Sequence, residues 1–91
     1  MTDTIRGPVT GIIDGDTFKM KVTHEGKNNK HEYNIKEIIR IADIDEPEIR
    51  SPAGKRSRDL LVRKLKGKEV RCYVQARDTY GRVIAEVRVL R

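Results

Sequence analysis

The chain turns on Arg40-Ile41-Ala42-Asp43-Ile44-Asp45-Glu46-Pro47-Glu48 and on the Ser51-Pro52 that follows. The first part reads as the end of a strand running into a tight acidic turn. Pro47 has no N–H to give a ladder and biases Glu46 toward extended backbone, so pairing stops there. Ser51 then offers an N-cap, and Pro52 is a first helical residue with φ already set. Arg40 enters the turn, and Asp45 and Glu48 leave it close together in space. Two carboxylates beside a guanidinium suit metal-assisted phosphoryl transfer. A solvated turn beside an ion-paired strand end has the same composition, and for this stretch alone that is the commoner case.

Upstream, the apolar pattern predicts three strands. Val9 to Ile13 is a strand with a break or bend near Gly11. Asp14-Gly15-Asp16 is a turn, Asp-Gly being the strongest hairpin dipeptide. Thr17 to Thr23 places Phe18, Met20 and Val22 on one face and Lys19 and Lys21 on the other, as a half-buried strand does. Glu25 to Lys30 is a polar loop. His24 and His31 flank it and read as surface residues, since no cysteine joins them. Tyr33 to Ile44 is the third strand, and its alternation slips at Ile38 and Ile39, which predicts a bulge or strong curvature.

Downstream, Pro52 to Lys66 is a helix with Ala53, Leu60, Leu61 and Leu65 toward one stripe. Lys55, Arg56, Arg58, Arg63, Lys64 and Lys66 occupy its other side, Gly54 weakens its first turn, and Gly67 stops it. Val70, Cys72, Val74 and Ala76 alternate cleanly with polar residues. Asp78-Thr79-Tyr80-Gly81 is a turn, and Val83 to Leu90 is the fifth strand. Three strands, a helix and two strands give a mainly β (α+β) class. They fit a five-stranded OB-fold Greek-key barrel with the helix between strands 3 and 4. A small α+β sandwich has the same order of elements.

The 91 residues predict one domain, 1–91, with a small core. No apolar run nears the ~20 residues that span a bilayer, so no membrane partner is expected. The first residues lack a basic region followed by an apolar one, which argues against a signal peptide and favours the cytoplasm; an excised secreted domain would read the same. The single cysteine, Cys72, reads as a small core residue. Of the net charge of +6, the segment Arg50–Arg71 holds +7, with nine Lys/Arg against two Asp/Glu. It is either a phosphate-facing surface or a solvated helix face.

Three motifs then stand in order: Ile13-Asp14-Gly15-Asp16-Thr17, Arg40 to Glu48, and Asp78-Thr79-Tyr80-Gly81-Arg82. Together they resemble the staphylococcal nuclease (thermonuclease-like) family over about Val9 to Val87, in order, in spacing within each motif and in strand-turn context. The resemblance implies a calcium-dependent nuclease that hydrolyses phosphodiesters of DNA or RNA with little sequence preference and leaves a 3′-phosphate. It places Asp16 and Asp45 as calcium-ligating carboxylates and Glu46 as the residue whose main-chain carbonyl helps hold the ion. Glu46 departs from the small hydroxyl residue usual there. Arg40 and Arg82 match the phosphate-contacting arginines, and Glu48 matches the carboxylate assigned to activate water. Thr79 and Tyr80 fall where the terminal phosphate is contacted, Thr79 standing where a lysine is often found. The resemblance also implies two further helices after the fifth strand; this sequence ends at Arg91 before them.

These residue types suit that chemistry. A hard divalent cation on carboxylate oxygens offsets the charge of a phosphodiester, and arginine can contact phosphate oxygens bidentately. Lys55 and Arg56 of the basic segment are the further substrate-binding candidates, and Tyr80 and Tyr73 are the available stacking platforms. The expected partner is single-stranded DNA or RNA, and the expected state is a monomer. The alternative is a non-catalytic OB-type module that binds single-stranded nucleic acid or a protein. The presence of Asp16, Arg40, Asp45, Glu48 and Arg82 favours the enzyme.

Overall fold

A computed structural model describes residues 2–42 and 52–90, the side chains of 52–55 and 57 excepted. The elements are β1 (Thr4–Asp14), β2 (Thr17–Lys21), β3 (His24–Glu25), β4 (Lys36–Ile41), α1 (Pro52–Leu65), β5 (Glu69–Arg77) and β6 (Val83–Val89). Five strands close on themselves in the order β1-β2-β4-β6-β5 and back to β1, and β3 adds to β1. Every pairing is antiparallel except β4 with β6, where Ile39, Arg40 and Ile41 run parallel to Val83, Ile84 and Ala85. With one helix among the described residues, between β4 and β5, this is the OB-fold barrel.

Closure needs a strongly bent β1, because that strand serves both β5 and β2. Register shifts between Val9 and Gly11 and between Ile12 and Asp14 supply the bend, on either side of the break expected at Gly11. Near the start of β1, Gly7 lets two backbones meet: a Cβ there would lie 1.8 Å from the Lys21 carbonyl oxygen. The chain then turns into β2 through Gly15 and Asp16, with Asp14 and Thr17 as the flanking pair. The two central residues are thus one position later than the Asp14-Gly15 dipeptide suggests.

The bulge expected at Ile38 and Ile39 is absent. β4 pairs with β2 in unbroken register from Lys36 to Arg40. The alternation slips because Glu37, not an apolar residue, takes an inward position beside Ile39, while Ile38 turns outward. Glu37 is only 4 % exposed. Arg77 compensates its charge, giving NH1 and NH2 to the two carboxylate oxygens at 3.1 Å each, and the Asn34 N–H adds a bond of 2.8 Å. The bulge that does form lies in β5, between Val74 and Ala76. β4 also starts later than expected, at Lys36, because Tyr33 is used elsewhere: its hydroxyl donates to Asp3 at 2.7 Å. The polar loop begins later too, since His24 and Glu25 pair with Arg6 and Ile5.

The core joins Ile5, Phe18, Met20, Ile39, Val70, Cys72, Val83 and Ala85 inside the barrel, and Leu61 and Leu65 of α1 cap it. Leu60 does not join the apolar stripe and is 55 % exposed. Gly67 ends the helix with φ 73°, a conformation glycine adopts without strain, and the Lys68 N–H donates to the Leu65 carbonyl. Burial pushes the Cys72 thiol up to about 12, so it acts as a core residue beside the Met20 sulfur and not as a nucleophile. Among the described residues no helix is long and apolar enough to cross a membrane.

Asp3 ties the loop before β4 to the barrel. Its carboxylate accepts the Lys30 N–H, the Tyr33 hydroxyl and the His31 N–H, and these bonds hold it below the usual carboxylate range against the opposing effect of burial. The same bond and the burial of the ring raise Tyr33 well above its ordinary value. Because the native carboxyl is the stronger acid, its contribution to stability is full above the unfolded value of 3.8 and is lost as pH falls through the lower native value. Acid unfolding of Asp3→Asn should therefore show a shallower loss of stability below about pH 4 than the parent, read from denaturant midpoints across that range. Identical slopes would remove Asp3 from the acid response.

Candidate active site at the hairpin end of the barrel

The β1–β2 turn, the end of β4 and the start of β6 meet at one end of the barrel. Asp16 sits in the turn, where its carbonyl accepts the Ile41 N–H at 2.7 Å and so locks the turn to β4. Its Oδ1 accepts the Thr17 hydroxyl at 2.8 Å, and its Oδ2 lies 3.6 Å from Arg40 Nε. The Asp16 side chain is 16 % exposed and that of Arg40 is 38 % exposed, so the pair is sheltered but open to a ligand. Arg40 owes this position to the β2–β4 register, which sets it opposite Thr17.

Arg82 arrives from the β5–β6 hairpin. It precedes Val83, the partner of Ile39, while Arg40 is the partner of Ile84. By the alternation of β-residues, Arg82, Ile84 and Arg40 share one face of the β4–β6 pair. The hairpin turn holds Arg82 tightly. Asp78 Oδ1 accepts the N–H groups of Tyr80 and Arg82, and its Oδ2 accepts Arg82 Nε at 2.6 Å. Gly81 takes φ 85°, and its N–H donates to the Asp78 carbonyl at 3.0 Å. Burial pushes the Asp78 carboxyl up, but the Arg82 backbone and guanidinium and the Tyr80 N–H outweigh it and leave it below its ordinary value. Tyr80 is 84 % exposed, with the Arg82 guanidinium 5.4 Å from its ring centre, and Thr79 beside it is exposed. The sequence marks Asp78 only as a turn residue. Its spacing of four from Arg82 within a turn is the signal for its second task.

On the helix, Arg58 donates to the Ile12 carbonyl at 3.2 Å, whereas Val62 and Lys66 flank Val9 to Gly11. The N-terminal half of α1 therefore lies toward the Asp14–Asp16 turn. Arg56, about two turns before Arg63 and exposed, belongs to that half; the Lys55 side chain lies outside the described residues, as do Asp45, Glu46 and Glu48. The structure thus brings Asp16 and Arg40 together and sets Arg82 immediately before β6, the strand that adjoins β4.

The donor chemistry of this end fits a hard cation. Asp16 offers carboxylate oxygen, held in place by Thr17 and by its own carbonyl, and oxygen is the ligand that calcium and magnesium prefer. Among the described residues no three His, Cys, Asp or Glu come together, and Asp45 and Glu46, the other expected ligands, lie outside the described residues.

Residues 38–90 match the family described as staphylococcal nuclease homologue. A probable endonuclease lcl3 of Pyrenophora tritici-repentis is 32% identical over 105 residues, which cover 93% of this chain and 39% of that protein. A probable endonuclease LCL3 of Arthroderma otae is 33% identical, over 92% of this chain and 36% of its own. A probable staphylococcal-like nuclease CAN2 of Oryza sativa subsp. japonica is 43% identical over 49 residues, 54% of this chain and 13% of its own. The chain spans at most 39% of the length of these relatives. The matched region runs from the strand that carries Arg40, across the basic helix, to the strand that Arg82 opens, and on that ground the chain belongs to the staphylococcal nuclease homologue family.

Proposed function

We propose that this chain is a single nuclease domain that hydrolyses phosphodiester bonds in DNA or RNA, with little sequence preference and acting on single strands. The observation that carries the reading is the Asp16–Arg40 pair, set beside the strand that Arg82 opens. An anionic oxygen that can hold a cation and a guanidinium that can hold a phosphate stand side by side there. Asp16 and Asp45, with the Glu46 carbonyl, are the residues that would hold a divalent ion, calcium by resemblance. When bound, such an ion supplies charge neutralisation and a polarised water.

The chain's own groups supply the rest. Arg40 and Arg82 contact the phosphate and gain strength as negative charge grows on its oxygens. Glu48 accepts a proton from the attacking water. Tyr80, exposed and adjacent to Arg82, offers a face for a base, and Thr79 and the basic helix residues Lys55 and Arg56 steer the strand. The sign of the helix charge predicts an affinity that weakens as salt rises.

The test is incubation with labelled single-stranded DNA in calcium and then in EDTA. Cleavage is expected with calcium and should vanish with chelator, while circular dichroism shows the fold intact in both. Folded protein that binds DNA but leaves it uncut in calcium would overturn the enzyme and leave the binding module.

A further inference from the structure

Far from the candidate site, the strand registers line up a row of basic residues on the outer face of the barrel. Arg6 of β1 stands opposite Arg71 of β5, and Arg71 stands opposite Arg88 of β6. On the other side Arg6 is paired with His24 of β3. Neighbouring strands are about 4.8 Å apart, so the three guanidinium stems cross about 10 Å of sheet. Like charges directly opposite on a sheet repel one another. An anion laid across the row would relieve that repulsion.

Three observations argue that the row is available to such an anion. Neither Arg71 nor Arg88 forms an ion pair among the described residues, although Glu69 and Glu86 share the face. Arg6 Nε is 3.5 Å from Glu69 Oε2 but is buried without a hydrogen-bond partner. The surface also holds a groove of about 320 Å³, lined among others by Arg6, His24, Glu25, Lys27, Arg71 and Tyr73, where β3 pairs with β1. The Arg88 guanidinium lies 5.9 Å from the Tyr73 ring centre, so one flat group already sits beside a cation.

We infer that this groove, together with Arg88 beside it, is a second docking surface for single-stranded nucleic acid, in which the Arg6–Arg71–Arg88 row holds backbone phosphates and Tyr73 receives a base. Arginine forks match phosphate oxygens, and aromatic faces accept any base, so the surface is indifferent to sequence. Charge decides the occupant. Glu25, Glu69 and Glu86 keep the whole face near neutrality, which disfavours a broad acidic protein surface. A thin strand of phosphates can follow the arginine row alone. Arg82, the residue before β6, and Arg88 near the end of that strand are six residues and about 20 Å apart at the ~3.3 Å rise of a strand residue. A strand held at the groove can therefore reach the candidate site along β6, which would favour long substrates over short ones. That last consequence rests on the nuclease reading; the binding does not.

The experiment measures fluorescence anisotropy of the whole chain with a labelled oligothymidylate in EDTA, where binding is read without cleavage. Arg71→Gln/Arg88→Gln is expected to weaken binding about tenfold and to lower the slope of log affinity against log salt by roughly 1.4, two single-strand phosphate contacts. Arg71→Lys/Arg88→Lys should keep most of the slope, and Tyr73→Leu should weaken binding without changing it. Unchanged affinity and slope in the glutamine variant would overturn the docking surface. Competition by polyglutamate as effective as that by unlabelled oligothymidylate would overturn nucleic acid as its occupant. In calcium, the glutamine variant should cut a short oligonucleotide as the parent does and a long one more slowly. Failure of both proteins to cut, with the binding difference intact, would strike the nuclease reading and leave this surface standing.

Discussion

Arg82→Ala is expected to lower the cleavage rate of bound substrate by roughly 10²–10³, with a change in affinity below about tenfold. The reason lies in how the guanidinium is held. Asp78 takes its Nε at 2.6 Å and its backbone N–H at 2.9 Å, so the side chain is oriented before any substrate arrives. Its terminal NH₂ groups are the ones left for a phosphate. A preorganised donor contributes most where charge develops, which is in the transition state, and least in ground-state binding. Single-turnover rates at saturating single-stranded DNA in calcium give the first quantity, and anisotropy in EDTA gives the second. Arg82→Lys should fall between the two proteins, because one ammonium cannot serve Asp78 and fork onto phosphate together. A loss of binding with no loss of bound-state rate would reassign Arg82 to substrate capture.

Arg77→Met is expected to cost about 3 kcal/mol of folding stability. Glu37 is almost wholly inside the barrel and relies on two bonds from Arg77. Removing the cation strands a carboxylate in an apolar surrounding, whereas removing both charges does not. Arg77→Met/Glu37→Gln should therefore recover a large part of the loss, as a double-mutant cycle on denaturant midpoints would record. A single-variant cost under about 1 kcal/mol would demote the pair to a solvent-screened surface bridge. The effect extends beyond stability. Arg77 NH1 also donates to the Gly81 carbonyl at 2.8 Å, and Glu37 shares a strand with Arg40. The pair thus spans the gap between the strand that carries one candidate arginine and the turn that carries the other. Hydrogen bonding to Glu37 raises Arg77 further above its already high value, so its guanidinium stays charged at any working pH.

What was legible in the sequence was what short-range periodicity can encode. The faces of β2, the helix stop at Gly67 and the order of elements depend on neighbours within a turn or a strand. The misplaced bulge shows the limit. The slip at Ile38 looks like an inserted residue, but it reflects a buried carboxylate whose partner lies 40 residues away. Nothing in the local pattern announces that Arg77 turns toward β4. β3 was hidden for a similar reason: two residues become a strand only because Asn29, bonded to the Thr4 N–H and carbonyl at 2.9 and 2.8 Å, fastens the loop to the edge of β1. Leu60 failed as a core residue because one position on a helix is a rotation of about 100°, enough to carry a side chain off the barrel. At the candidate site, Asp16, Arg40 and Arg82 were legible through the order of three motifs. The grip of Asp78 on Arg82 and the arginine row on the outer face were not, since each needs the register before it exists.

The parallel contact of β4 with β6 has a consequence in time. It joins residues 39–41 to residues 83–85, a long-range pairing like that of β1 with β5, whose partners lie still further apart in the chain. Antiparallel neighbours such as β1–β2 and β5–β6 close over short loops and can form early, whereas the β4–β6 pairing must wait for the helix and two further strands to be in place. Arg40 and Arg82 are therefore far apart in the unfolded chain, and they are brought toward each other only when β4 meets β6. A phosphate held by both arginines, as proposed, would recognise only the state in which β4 and β6 are paired. It should act on the rate at which the protein comes apart and leave the rate at which it assembles nearly untouched.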